Sequence, residues 1–179
     1  MQGVATVSGD EQLLVAAKAG DQDCFARLME PHIAAGYRLA VSMLSDPGHA
    51  EDVVQEATFR AWRAVGQLSS SSRTRPWFLS IVANRSRSLR QTRWWSVVGL
   101  PLSGLSGSTF AEAADAHEDL IRALRQLSPE ERAALFLRFY EDMNSREIGE
   151  VLRISATAVR SRIHRALRRL RVELAGEEI

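Results

Sequence analysis

Apolar residues in this chain recur every three or four positions almost from end to end, and no stretch alternates as a half-buried strand does. That period lines up side chains on one face of a helix, so the chain is predicted to be all-α. Leu13, Leu14 and Ala17 make a first short stripe that stops at Gly20. Asp21 is placed to cap a long second helix carrying Phe25, Leu28, Met29, Ile33, Tyr37, Ala40 and Leu44, which "SDPGH" breaks. A third helix, capped by Asp46, turns Val53, Val54, Ala57, Ala61 and Val65 inward. After the polar loop "QLSSSSRTR", a fourth helix near 75–91 buries part of Trp77, Phe78, Ile81, Val82 and Leu89.

Residues 94–117 interrupt the helical pattern with Gly, Ser and Ala and read as a flexible linker, although Trp94, Trp95, Val97, Val98, Leu100, Leu102, Leu105 and Phe110 make it apolar for one. The 179 residues therefore divide into a helical domain at 8–93, the linker, and a second helical domain at 118–175. The second opens with "HEDLIRALRQL". Next come Ser128 as cap, Pro129 at the first helical position and Glu131 three residues after the cap, a capping-box pattern. "NSREIGEVLRISATAVRSRIHRALRRLRVEL" then predicts two helices and a tight turn, with Asn144 or Ser145 capping the first and Ser155 the second.

Net charge is only +1, yet the charges are zoned. From Ala57 to Phe110 there is no acid, while arginine stands at 60, 63, 73, 75, 85, 87, 90 and 93. Residues 153–171 form a second acid-free, arginine-rich block. The acids gather in 10–30, 46–56, 112–119, 130–131 and 141–150. Such zoning predicts two surfaces for polyanions and acidic surfaces for something basic.

In the last predicted helix Val159, Ile163, Ala166, Leu167, Leu170 and Leu174 share the face that docks on its own domain. The remainder displays Arg160, Ser161, Arg162, His164, Arg165, Arg168 and Arg169. With Ile148, Val151 and Leu152 inward on the helix before it and Ile154 plugging the turn, this is a helix-turn-helix whose second helix can enter a major groove. Arginine suits guanine edges and phosphates alike. In "RTRPWFLSIVANRSRSLRQTRWW" arginines and aromatics interleave, which suits a single strand whose unstacked base meets a flat wall. The alternatives are a solvated basic face or a surface for an acidic protein for the first segment, and a plain aromatic core for the second.

In "DPGHAEDVVQEA", His49, Asp52 and Glu56 have helical spacing that a metal could use. Capping by Asp46, the helix dipole and a protein-binding face account for the same acids. No nucleophile triad, phosphate-cradling glycine loop or zinc signature occurs, and no cofactor is expected. The single cysteine, Cys24, excludes a disulfide framework and is expected to be a small buried hydrophobe. Without a signal-peptide pattern or an apolar run of ~20 residues, a soluble cytoplasmic protein is expected.

Taken in order, "GDQDCFARLMEPHIAAGYRLA", "DPGHAEDVVQEATFRAWRAV", "RPWFLSIVANRSRSLR" and the 127–171 segment resemble a bacterial sigma factor of the extracytoplasmic-function (ECF, group IV) type. The resemblance implies regions 2 and 4 as the two helical domains and a linker bound by polymerase. It implies a non-enzymatic initiation factor, with RNA polymerase performing the chemistry. Region 2 would dock on the clamp coiled coil of core RNA polymerase through Asp52, Val53, Gln55, Glu56 and Phe59. It would open the −10 element and hold a flipped base with Arg60, Ala64, Leu68, Ser80, Ile81 and Asn84, with Arg85 and Arg87 near the strand. Region 4 would read −35 duplex DNA through Arg160, Ser161, His164 and Arg165, with Arg162 and Arg168 on phosphates, and the apolar face of "ALFLRFYE" would meet the polymerase flap. An anti-sigma factor is a further partner the resemblance implies. A stand-alone helix-turn-helix regulator would explain 128–171 and leave 46–95 without a purpose.

Overall fold

The computed structural model describes residues 9–92 and 119–175; the apolar linker lies outside them. The described residues are helices and turns, as the periodicity predicts, and none of them is a strand. The elements are α1 (Gly9–Lys18), α2 (Gln22–Leu44), α3 (Pro47–Ala64), α4 (Thr74–Thr92), α5 (119–125), α6 (Pro129–Leu135), α7 (Ser145–Leu152) and α8 (Ala156–Ala175). Two short 3-10 turns, Val65–Gln67 and Ser71–Arg73, fill the loop before α4, and a π-helical turn, Phe136–Tyr140, extends α6.

Local chemistry sets the boundaries. The Asp21 carboxylate accepts the Cys24 N–H at 2.9 Å and starts α2. That helix ends where Ser45 takes a left-handed conformation (φ 56°) and donates its N–H to Val41 O. Asp46 then accepts the His49 N–H at 3.1 Å, with Pro47 in the first turn of α3, where its missing donor costs nothing. α6 carries the full capping box: Ser128 Oγ accepts the Glu131 N–H and Glu131 Oε2 accepts the Ser128 N–H. Asn144 and Glu147 form a second capping box at α7. Cys24 is half-buried, not buried, because it sits in the first turn of α2 before the helix enters the core.

Helices α1 to α4 pack around α2, whose Leu28, Met29, Leu39, Ala40 and Met43 are buried. Gly36 lets α4 approach: a Cβ there would stand 2.8 Å from Phe78 Cε1. The two halves of the chain are not held apart. α7 lies along α4 and α6 lies along α2. Ala133, Ala134, Leu137, Met143, Ile148, Val151, Leu152 and Val159 join the same continuous apolar core as the first four helices. A smaller cluster of Leu127, Leu135 and Ala166 ties α6 to α8. Arg132 stitches the halves together, donating to Ser42 O (2.6 Å), Ser45 Oγ (3.1 Å) and Leu127 O (2.6 Å).

This packing corrects two expectations. Ala134, Leu135 and Leu137 of "ALFLRFYE" are buried within the protein, leaving Phe139 and Tyr140 as the exposed apolar part of that segment. On α8, Val159 and Ala166 are buried and Ile163 and Leu170 half-buried, but Leu167 and Leu174 are exposed. The helix outruns the core it rests on, so a stripe continued by periodicity alone overreaches.

Candidate nucleic-acid interface

The helix-turn-helix is α7, the turn at 153–155, and α8. Three features shape it. Ser155 Oγ accepts the Ala158 N–H at 3.1 Å and starts α8. Arg153 ends α7 in the left-handed region (φ 58°). Gly149 accepts the Ile154 N–H at 3.0 Å and lies so close beneath the turn that a Cβ would stand 2.6 Å from Ile154 O. The outer face of α8 then presents Arg160, Ser161, His164, Arg165 and Arg168 exposed and Arg162 half-buried. Arg169 is committed to structure, pairing with Glu131 at 3.0 Å. Burial pushes the Glu131 carboxyl up, but the Ser128 hydrogen bonds and the charges of Arg169 and Arg165 outweigh it and hold the group below its ordinary range.

The residues expected at the −10 element do not converge on a single pocket. Leu68 and Ser80 line a cleft of about 460 Å³ with Gln67, Ser69, Arg73, Pro76, Trp77, Glu150 and Arg153. Trp77 supplies the flat wall there, and Ser80 Oγ donates back to Trp77 O at 2.7 Å. Leu68 is itself buried at the floor. Arg60 and Ala64 line a different hollow on α3 with Glu56, Phe59 and Arg63. Ile81, Asn84, Arg85 and Arg87 are half-buried along α4, and Asn84 O accepts from Ser88 Oγ. Arg85 ion-pairs with Glu56, and Arg87 reaches Leu152 O at 3.4 Å. Sequence patterning does not mark Arg73, Pro76, Glu150 and Arg153 as cleft residues. The acid-free run hints at Arg73, but nothing local brings Glu150 and Arg153 to the same place.

The third surface is acidic and apolar. Asp52, Gln55 and Phe59 are exposed on α3, with Phe59 at 60 %. Beside them a groove of about 720 Å³ between α2 and α3 is lined by Gln22, Phe25, Ile33, Glu51, Val54, Gln55, Thr58, Phe59 and Trp62. Phe25 meets Trp62 edge-to-face at 5.1 Å, which fixes the groove floor. Val53, expected on the contact surface, is buried at 1 % and supplies packing. Glu56 is half-buried. Desolvation pushes its carboxyl up, but hydrogen bonds and charges from Arg60 and Arg85 outweigh that and leave it lowered. His49, one turn before Asp52 and two before Glu56, pairs with Asp46. Among the described residues no group of three or more His, Cys, Asp or Glu could hold a metal ion. No helix among them is long and apolar enough to cross a membrane.

Two family models match this chain: Sigma-70 region 2 over residues 23–96 and Sigma-70 region 4 over residues 117–170. It is 32 % identical over 164 residues to the ECF RNA polymerase sigma factor SigL of Mycobacterium tuberculosis, covering 88 % of this chain and 93 % of that protein. The chain belongs to the ECF RNA polymerase sigma factors. This sigma factor is also 34 % identical over 165 residues to the RNA polymerase sigma factor CarQ of Myxococcus xanthus, covering 88 % of this chain and 92 % of the relative. Its fold is similar to that of CnrH in complex with the cytosolic domain of CnrY, with a TM-score of 0.70, 26 % identity, and coverage of 96 % of this chain and 100 % of the other. RpoE of Bartonella quintana, in complex with the anti-sigma factor NepR, shares the fold at a TM-score of 0.68 and 23 % identity, over 86 % of this chain and 98 % of that one. As a sigma factor the chain is a DNA-binding transcription initiation factor that directs RNA polymerase to promoters.

Proposed function

We propose that this sigma factor is of the group IV type, with region 2 at 8–93, the linker at 94–117 and region 4 at 118–175, acting in the cytoplasm. Region 4 reads −35 duplex DNA through Arg160, Ser161, His164 and Arg165, with Arg162 and Arg168 on phosphates. The observation that carries this is the outer face of α8, which holds six such residues, none of them an acid, with five exposed to solvent. Arginine there can make bidentate guanine contacts and pair with phosphates.

Region 2 holds the parted −10 strand along α4. A base would enter the Leu68–Trp77–Ser80 cleft while Asn84, Arg85 and Arg87 follow the backbone, with Arg60, Ala64 and Ile81 at the flanks. Stacking on Trp77 and charge pairing along the helix favour the unstacked state over the duplex. Docking on the polymerase clamp uses Asp52, Gln55, Glu56 and Phe59 at the rim of the α2/α3 groove, with Val53 holding α3 in place from beneath. Phe139 and Tyr140 are the flap-facing candidates in region 4. The complexes of CnrH with the cytosolic domain of CnrY and of RpoE with the anti-sigma factor NepR support an anti-sigma factor as a partner of this chain too.

A native gel tests the assignment. Promoter duplex should shift to a slow band only when sigma factor and core polymerase are both present. A full shift by the sigma factor alone, unchanged by core, would instead indicate a stand-alone regulator.

A further inference from the structure

Residues 57–110 contain no acid, so an arginine in that run finds a carboxylate only from elsewhere in the chain. In the folded protein much of that partnership comes from the last four helices. Arg73 pairs with Glu150 at 2.7 Å, and Arg90 pairs with Glu130 at 2.7 Å. Arg75 binds both the carboxylate and the backbone carbonyl of Glu141. Arg87 donates to the Leu152 carbonyl at 3.4 Å. Four arginines from the turn before α4 to its last turn are thus met by acceptors of region 4. Glu150 and Arg153 also line the Trp77 cleft, so α7 forms one of its walls.

We propose that Glu130, Glu141 and Glu150 stand in for phosphates on the strand-binding face of α4, so that region 4 and a parted DNA strand compete for one surface. The inference rests on the reading of α4 as the strand-capturing helix. The chemistry of the two occupants matches. Carboxylate and phosphodiester oxygens are both anionic acceptors, and the guanidinium fork serves either. Their geometry excludes one another, because a backbone that follows Arg73, Arg75, Arg87 and Arg90 needs the donors that region 4 now holds. The pairs differ in strength. Arg73–Glu150 and Arg90–Glu130 lie at the solvent edge, where salt screens them. Glu141, with its side chain 8 % exposed, is the anchor. Release of α7 therefore starts at the edge and finishes at Arg75.

The test measures binding of a fluorescein-labelled, mixed-sequence single strand of about 20 nucleotides to the full chain at low salt, by anisotropy. The triple variant Glu130→Gln, Glu141→Gln, Glu150→Gln should bind about tenfold or more tightly than the parent. The charge-matched variant Asp23→Asn, Glu30→Gln, Asp119→Asn should stay within about twofold, since its acids are not among the partners of the α4 arginines. Equal gains in both triple variants, or no gain in either, would overturn the proposal. Should loss of Glu141 unfold the chain by circular dichroism, the edge variant Glu130→Gln, Glu150→Gln gives the same readout with a gain of about threefold. Run-off transcription by the parent chain with core polymerase separates the two failures: an active parent with no gain in the variants rejects the competition alone, and an inactive parent rejects the promoter reading beneath it.

Discussion

Gly149→Ala sets a helix preference against a backbone clash, and the structure says which prevails. Gly149 lies inside α7, away from any left-handed conformation, so alanine should gain about 1 kcal/mol from helix propensity. Its Cβ would, however, stand 2.6 Å from Ile154 O and 3.6 Å from Ala156 N. Ordinary contact begins at 3.4 Å, so the turn must retreat by 0.8 Å (3.4 − 2.6). The obstacle is backbone and carries the start of α8 with it. Overpacking of this kind costs about 1–3 kcal/mol, so the net change is a loss near 1 kcal/mol. For a chain of this size that lowers Tm by about 2–4 °C. Gly48→Ala is the matched comparison: it is also helical, but its nearest neighbour stands at 3.6 Å, and its Tm should hold or rise. Because the retreat displaces α8, holoenzyme affinity for −35 duplex should fall about fivefold, near the lower end of what a lost bidentate contact costs. Differential scanning fluorimetry and duplex titration read both effects. A Tm that rises for Gly149→Ala as it does for Gly48→Ala would refute the close approach.

Other expectations are independent of that turn. Arg160→Ala and Arg165→Ala should each cost about 1–3 kcal/mol of −35 affinity, measured with holoenzyme on duplex, and relax sequence preference at one position. Asp52→Arg should weaken association with core polymerase in a pull-down while leaving stability within about 0.5 kcal/mol of the parent, since the side chain is exposed. Glu131→Gln should flatten the acid limb of the stability curve. The folded-state carboxyl is lowered from 4.5, so it contributes stability above that value, which is lost as pH falls through the folded pKa. Thermal melts of parent and variant should therefore stand furthest apart above pH 4.5 and draw together as pH falls below it.

Features written in a few neighbouring residues are legible in the amino-acid sequence. Asp21, Asp46, Ser128, Asn144 and Ser155 cap helices because the bond each makes spans two or three residues. The helix-turn-helix is legible for the same reason: its apolar spacing and its turn both lie within 144–171. Contacts between distant segments are not. Arg75 and Glu141 are 66 residues apart, and Arg73 and Glu150 are 77 apart, with nothing in either neighbourhood to mark the partner. The same blindness puts Ala134, Leu135 and Leu137 on a polymerase-facing surface, because an apolar stripe does not say which neighbour covers it. Val53 is the opposite case. The apolar spacing of α3 turns it inward, as found, and only the resemblance places it on the contact surface. Region 2 is thus readable as a succession of helices, while the division of its arginines between DNA and region 4 is not.

Run-off transcription with purified core polymerase on a panel of candidate promoter templates decides whether the chain selects promoters and captures a parted strand. The full chain should yield discrete transcripts from a subset of templates. Trp77→Ala should abolish them while −35 duplex binding by the holoenzyme persists. Transcripts that appear equally with and without the chain, or that survive Trp77→Ala unchanged, would contradict a strand-capturing cleft on α4.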